Sequence, residues 1–110
     1  MKIVLTVQPV HKKKDGIYRL YIGLEDSFKY FKERQAMVCL YLDEPDPICV
    51  KTTCGINKKK GFDLSSEEIN KWIIKNNFDK YEHRNPTKLG FEYHLNGSVH
   101  VLKYLYPLYK

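Results

Sequence analysis

Apolar and polar positions alternate first over residues 3–10, where Ile3, Leu5 and Val7 interleave with Val4 and Thr6. A period of two marks a half-buried strand, because successive side chains point to opposite faces. Pro9 lacks a backbone donor, so it ends this strand or confines it to a sheet edge. Ile17 to Ile22 repeats the β-rich pattern after Lys12-Lys13-Lys14-Asp15-Gly16, and Asp-Gly supplies the positive-φ positions of a tight turn. The two segments predict a hairpin. After Gly23 the period changes, with Leu24, Phe28 and Phe31 at i, i+4 and i+7 on one helical face. This predicts a short helix near 26–34, capped by Asp26 or Ser27, with an extended segment as the alternative. Ala36–Leu42 and Ile48–Thr53 read as two further strands. Between them lies Asp43-Glu44-Pro45-Asp46-Pro47, whose prolines fix φ and remove donors.

The strongest helical signal covers residues 65–78. Ser65 and Glu68 have the Ser-x-x-Glu spacing of a capping box, and Leu64 and Ile69 are spaced for a hydrophobic staple. Glu67 and Glu68 oppose the positive end of the helix dipole and Lys75 the negative end. Ile69, Trp72 and Ile73 share one apolar face, and Asn76-Asn77 suits termination because Asn tolerates the left-handed conformation. A polar stretch containing Pro86 follows. Leu89–Leu95 and Ser98–Leu105 then predict a hairpin around Asn96-Gly97, as a type I′ turn that sets Leu95 opposite Ser98, Tyr93 opposite His100 and Phe91 opposite Leu102. Those six share one face, the one expected toward the helix. Glu92, His94, Val99, Val101 and Lys103 share the other.

Together these elements predict an α+β domain. Its sheet is mostly antiparallel, a curled sheet or small open β-barrel of about six short strands, with the amphipathic helix packed on it. A length of 110 residues makes residues 1–110 a single domain. Hydrophobic residues at 43% and charged residues at 29% describe a globular chain. No apolar run approaches the ~20 residues that cross a bilayer as a helix, so no membrane partner is expected. The first residues carry neither the apolar stretch nor the cleavage site of a secretory leader, which makes a cytoplasmic location the expectation. Cys39, Cys49 and Cys54 are odd in number and lack CxxC spacing. Reduced thiols packed as small hydrophobes are therefore expected, with a Cys49–Cys54 bridge as the alternative. Asn96-Gly97-Ser98 matches a glycosylation sequon and is read as a turn.

Candidate chemistry is sparse. No phosphate-binding glycine loop, HExxH, zinc-type Cys/His cluster or nucleophile elbow occurs, so neither cofactor nor metal is expected. His94 and His100 fall on opposite faces of the predicted hairpin. The loop Tyr81-Glu82-His83-Arg84-Asn85 concentrates proton-transfer and anion-stabilising groups. A metal-free ribonuclease or toxin using His83 and Arg84 is the minority reading. An ordinary solvated loop has the same composition.

The net charge of +6 favours an acidic partner. Lys12, Lys13 and Lys14, and again Lys58, Lys59 and Lys60, sit in loops beside a glycine, where ammonium groups can meet a phosphate backbone without being buried. Solubilising turns and edges is the plainer role of such lysines. Nine tyrosines add surfaces that stack on bases or fill interfaces, although tyrosine also favours strands. The primary expectation is a nucleic-acid-binding domain without catalytic activity. It would contact DNA or RNA through the two lysine runs, Tyr81, His83, Arg84 and Lys88. The alternative is a protein-binding module, such as a small inhibitor masking an acidic or nucleic-acid-handling protein through Tyr104, Tyr106, Leu108 and Tyr109.

Overall fold

The computed structural model describes residues 1–9, 17–23, 26, 30–31, 37–51, 62–81 and 85–108. The elements that the described residues delimit are, in chain order, β1 (Lys2–Pro9), β2 (Tyr18–Ile22), β3 (Met37–Tyr41), β4 (Ile48–Lys51), β5 (Phe62–Leu64), α1 (Glu67–Lys75), β6 (Lys88–Asn96) and β7 (Val99–Leu108). Asp26 and Tyr30 have helical backbone, as the 26–34 reading expects, but Phe31 does not, and residues 27–29 and 32–34 lie outside the described residues. So does the Asp15-Gly16 turn.

The strands form one sheet in the order β4-β3-β7-β6-β1-β2-β5, curled into a nearly closed barrel. The three hairpins β1–β2, β3–β4 and β6–β7 join neighbours in sequence, and every pairing is antiparallel except β3 with β7. The predicted class therefore stands, with β5 as a seventh strand too short to show a period. Inward positions alternate along β1, where Ile3, Leu5 and Val7 are buried while Lys2 and Val4 are exposed. These join Leu20, Ile22, Val38, Leu40, Leu89, Phe91 and Leu102 in the barrel interior, and Ile69, Trp72 and Ile73 of α1 pack on the same core.

His100 is the buried polar residue of this core among the described residues, and its Nδ1 lies 2.7 Å from the Tyr93 hydroxyl. Phe31 stacks on the imidazole at 4.4 Å between centroids. The hydrogen bond removes the penalty of burying both polar groups in an apolar setting.

Four local expectations are corrected. The cap of α1 is Ser66, whose Oγ accepts from the Ile69 N–H at 3.1 Å, and not Ser65. Leu64 is held in β5 opposite Leu20, and Ile69, Trp72 and Ile73 must face the core, so the helix can begin only at Glu67. Glu68 then occupies the second helical position, one short of a capping box. Replacing Ser66 by alanine is expected to cost about 1 kcal/mol, and Ser65→Ala only a few tenths, measured by urea unfolding.

The second correction concerns the β6–β7 turn. Asn96 pairs with Val99, which leaves Gly97 and Ser98 as the central residues. Among the described residues Gly97 at φ 63° and Asn77 are the positive-φ positions, so only the first central residue needs the left-handed region, the type II′ pattern rather than type I′. The partners shift accordingly, with Leu95 opposite His100, Tyr93 opposite Leu102 and Phe91 opposite Tyr104. Each partner moves by two residues, so every side chain keeps its predicted face. Phe91, Tyr93, His100 and Leu102 are indeed buried.

Third, the structure joins Cys39 to Cys49 in a disulfide, where free thiols were expected. The β3–β4 register sets the two residues directly opposite each other with Cα atoms 4.0 Å apart, within bonding reach. Cys54 lies outside the described residues. Fourth, β7 continues to Leu108 instead of stopping at Leu105. A bulge between Gly90 and Phe91 accommodates it, and Gly90 leaves room for the Tyr106 ring, which an added Cβ would meet at 3.2 Å.

The C-terminus of α1 follows the predicted signal. Asn77 adopts φ 60°, and the N–H groups of Asn77 and Phe78 donate to the Ile74 and Ile73 carbonyls. This is a Schellman closure, which turns Phe78 back onto Trp72 at 5.2 Å between rings.

Candidate functional site

The strand directions decide which chain segments can meet. β1, β3, β5 and β7 run one way along the barrel and β2, β4 and β6 the other. Pro9 and Tyr18, which flank residues 10–17, pair at one end. The same end receives Lys88, which lies beside Thr6 and opposite Leu108, and the Thr87 carbonyl, which accepts from the Val7 N–H at 2.9 Å. Asn85 and Tyr81, which flank residues 82–84, lead into this corner. Lys51 and Phe62, which flank 52–61, lie at the opposite end, beside Met37 and Ile22.

The nominated set thus divides. The anchors of the segments carrying Lys12–Lys14 and His83–Arg84 share an end with Tyr81 and Lys88, while those of the segment carrying Lys58–Lys60 sit at the other. Lys12, Lys13, Lys14, Lys58, Lys59, Lys60, His83, Arg84 and Tyr109 themselves lie outside the described residues.

Of the described candidates, Lys88 is exposed, and Tyr81 is half-buried against the core. Burial, reinforced by the nearby Tyr18 and Asp79, raises the Tyr81 pKa above the usual phenol value. Tyr81 therefore stays a neutral hydroxyl, suited to donating a hydrogen bond and not to accepting a proton as phenolate. Asn70 of α1 fixes the neighbouring strand start, its Oδ1 accepting from the Tyr18 N–H at 2.8 Å. Tyr104 packs inward, its ring 5.0 Å from Trp72 and 5.6 Å from Phe91. Tyr106 and Leu108 are exposed on β7, with the Lys2 ammonium 5.6 Å above the Tyr106 ring.

Charge is unevenly divided along the chain. The described residues carry eight Lys or Arg against nine Asp or Glu, and the remaining segments eleven against four. The described residues are close to neutral, and the basic excess of the sequence belongs to the remaining ones.

One ion pair has a pH consequence. Asp63 lies 3.1 Å from Arg19, yet burial raises its carboxyl pKa above the ordinary value, with the arginine only partly opposing. The folded state therefore holds the Asp63 proton more tightly than the unfolded chain does. This group's stabilising contribution is full below the ordinary carboxyl value and is lost as pH rises through the raised one. Asp63→Asn is expected to flatten that fall, read from urea midpoints across the acid range.

A second feature was not legible in the sequence. Residues Glu68, Lys71, Trp72 and Lys75, spaced i, i+3, i+4, i+7 along one stripe of α1, face the β3–β4 connection across a cleft of about 540 Å³. The Asn76 side-chain amide donates to Asp43 at 3.3 Å and ties the connection to the helix. Among the described residues no cluster of three metal-ligating side chains forms, and no helix is long and apolar enough to cross a membrane. No protein-family model matches the chain, and no curated protein or solved structure is detectably similar to it.

Proposed function

We propose that the protein binds nucleic acid at the barrel end where residues 10–17 and 82–84 are anchored. The observation that carries this reading is the register itself. It places the attachment points of the Lys12–Lys14 and His83–Arg84 segments beside Lys88 and the half-buried Tyr81. The charge division supports it, because cations on loops can reach phosphates without desolvation. Lys12, Lys13, Lys14, Arg84 and Lys88 hold the backbone. Tyr81 and His83 meet sugar or base, and the protonated Tyr81 hydroxyl serves as donor. Phosphate contacts supply affinity here, and only the base contacts can supply selectivity. Lys58–Lys60, anchored at the far end, form a separate contact. The reading requires no chemical step.

Titrating mixed-sequence duplex DNA and single-stranded RNA across salt tests it. Five neutralised phosphates give a slope of log affinity on log salt near −4.5 for duplex DNA and about −3.5 for a single strand. Absence of salt-dependent binding to both would remove the proposal. The protein-binding alternative has narrower support, since Tyr104 is packed inward and only Tyr106 and Leu108 of its described residues are exposed.

A further inference from the structure

The cleft between α1 and the β3–β4 connection, which leaves the sheet on the same side as the β1–β2 connection, differs in three properties from the corner beside Lys88 and Tyr81. Its floor is apolar, formed by Leu42, Ile48 and Trp72. Its rim is acidic: Asp43, Glu44, Asp46 and Glu68 face two lysines, of which Lys71 is already paired with Glu67 at 3.3 Å. In a chain of net charge +6, this is a local reversal of sign. Its third wall is the beginning of β4, the strand at one edge of the sheet.

The direction of the β4 backbone follows from the disulfide-linked pair. In an antiparallel ladder, facing residues about 5.5 Å apart exchange hydrogen bonds, and those about 4.5 Å apart do not. Cys39 and Cys49, with Cα atoms 4.0 Å apart, are of the second kind. Ile48 and Val50 therefore direct their N–H and C=O groups toward β3, while Cys49 and Lys51 direct theirs away from it. Among the described residues no strand pairs with that outer side, and β4 contains no proline to blunt it. Cys49 is also a lining residue of the cleft.

From this geometry we propose that the groove binds an extended, basic segment of a protein partner, which adds as a strand to the outer edge of β4. Backbone hydrogen bonds to Cys49 and Lys51 supply affinity, as in other strand-addition sites. Alternate side chains of the segment point one way into the cleft, where its apolar groups rest on Leu42, Ile48 and Trp72. Its cations meet Asp43, Glu44, Asp46 and Glu68. The cleft volume lies in the range of ordinary ligand sites. A polyanion is repelled from this rim, so the site is distinct from the proposed nucleic-acid surface and does not depend on it.

The test uses a capped peptide of alternating Lys and Val, with Trp72 as reporter because it is the only tryptophan and lines the cleft. Two control peptides accompany it. One has Glu in place of Lys, and the other has N-methylated backbone amides with the charges kept. The Lys-Val peptide is expected to bind saturably and to shift Trp72 fluorescence, while both controls bind at least about tenfold more weakly. On the protein side, Lys51→Pro removes an outward N–H without touching the β3 ladder and should weaken binding by about tenfold, whereas Lys51→Ala should not. Glu68→Lys with Asp46→Lys should weaken it as well. Equal binding of the N-methylated peptide, indifference to Lys51→Pro, or no saturable binding would overturn the proposal. A concentration-dependent dimer abolished by Lys51→Pro would also overturn it, by assigning the edge to a second copy of the chain.

Discussion

Replacing Lys12, Lys13 and Lys14 together by alanine is expected to weaken duplex DNA binding on the order of a thousandfold at about 50 mM salt. Three of five phosphate contacts disappear, so the slope of log affinity on log salt falls from about −4.5 to about −1.8. Between about 50 and 200 mM salt the parent should lose roughly 500-fold in affinity and the variant roughly tenfold. The slope is more informative than the affinity, because it counts phosphates and is insensitive to the fraction of active protein. The matching change at Lys58, Lys59 and Lys60 separates two arrangements. If the end bearing Lys88 and Tyr81 is the primary surface, the second triple variant has the smaller effect on a short duplex. Melting of each variant serves as the folding control: an unchanged midpoint assigns a loss of binding to the removed charges.

The second large effect concerns the core that holds this end in place. Phe91 is fully buried on β6, with its ring 5.6 Å from that of Tyr104. Phe91→Ala is expected to cost about 3–5 kcal/mol, from lost transfer free energy and the cavity left behind. Against a typical domain stability of about 5–15 kcal/mol, that is at least about a fifth of the total. Leu95 lies on the same face of the same strand, but it is 54% exposed where the strand runs past the barrel. Leu95→Ala should change stability by no more than about 0.5 kcal/mol in the same urea titration. The contrast tests the observed register, because a slip of one residue in β6 would reverse the exposure of its whole face.

The local elements were readable because their signals are local. Alternation in β1, the apolar face Ile69–Trp72–Ile73 and the Asn76-Asn77 stop each depend on neighbours a few residues away. What the sequence could not show depends on distant partners. Two adjacent serines can each cap a helix, and the choice fell to Ser66 because Leu64 is engaged with Leu20 of β2. The Asn-Gly pair permits a type I′ turn, but Asn96 is drawn into the ladder, where the buried Tyr93–His100 contact and the Phe91–Tyr104 pair set the register. The parallel β3–β7 pairing joins the β3–β4 hairpin to the rest of the sheet across some sixty residues, and no periodicity encodes it. The disulfide depends on register instead, since Cys39 and Cys49, in adjacent strands of one hairpin, become direct neighbours only once the β3–β4 register is known.

The candidate sites show the same division. Lysine runs are visible as composition, but which end of the barrel each loop leaves from is a property of strand direction. The acidic groove was invisible for a related reason. Its wall on α1 is a helical stripe, and its facing residues come from a connection that reads as a solvated turn. Only the packing of α1 beside the sheet edge brings Trp72 and Ile48 into one cleft.

The most direct measurement is a map of backbone amide shifts on adding a short single-stranded RNA and, separately, a short duplex DNA. The predicted result is a continuous set of perturbations at one end of the barrel, over Tyr18, Tyr81, Asn85, Lys88 and Leu108, growing as salt is lowered. The opposite end, around Asn96 to Val99, Met37 and Lys51, should be quieter, and Glu68 and Asp46 in the groove should not respond. Perturbations confined to the opposite end or to the groove, or none with either nucleic acid at low salt, would contradict the account.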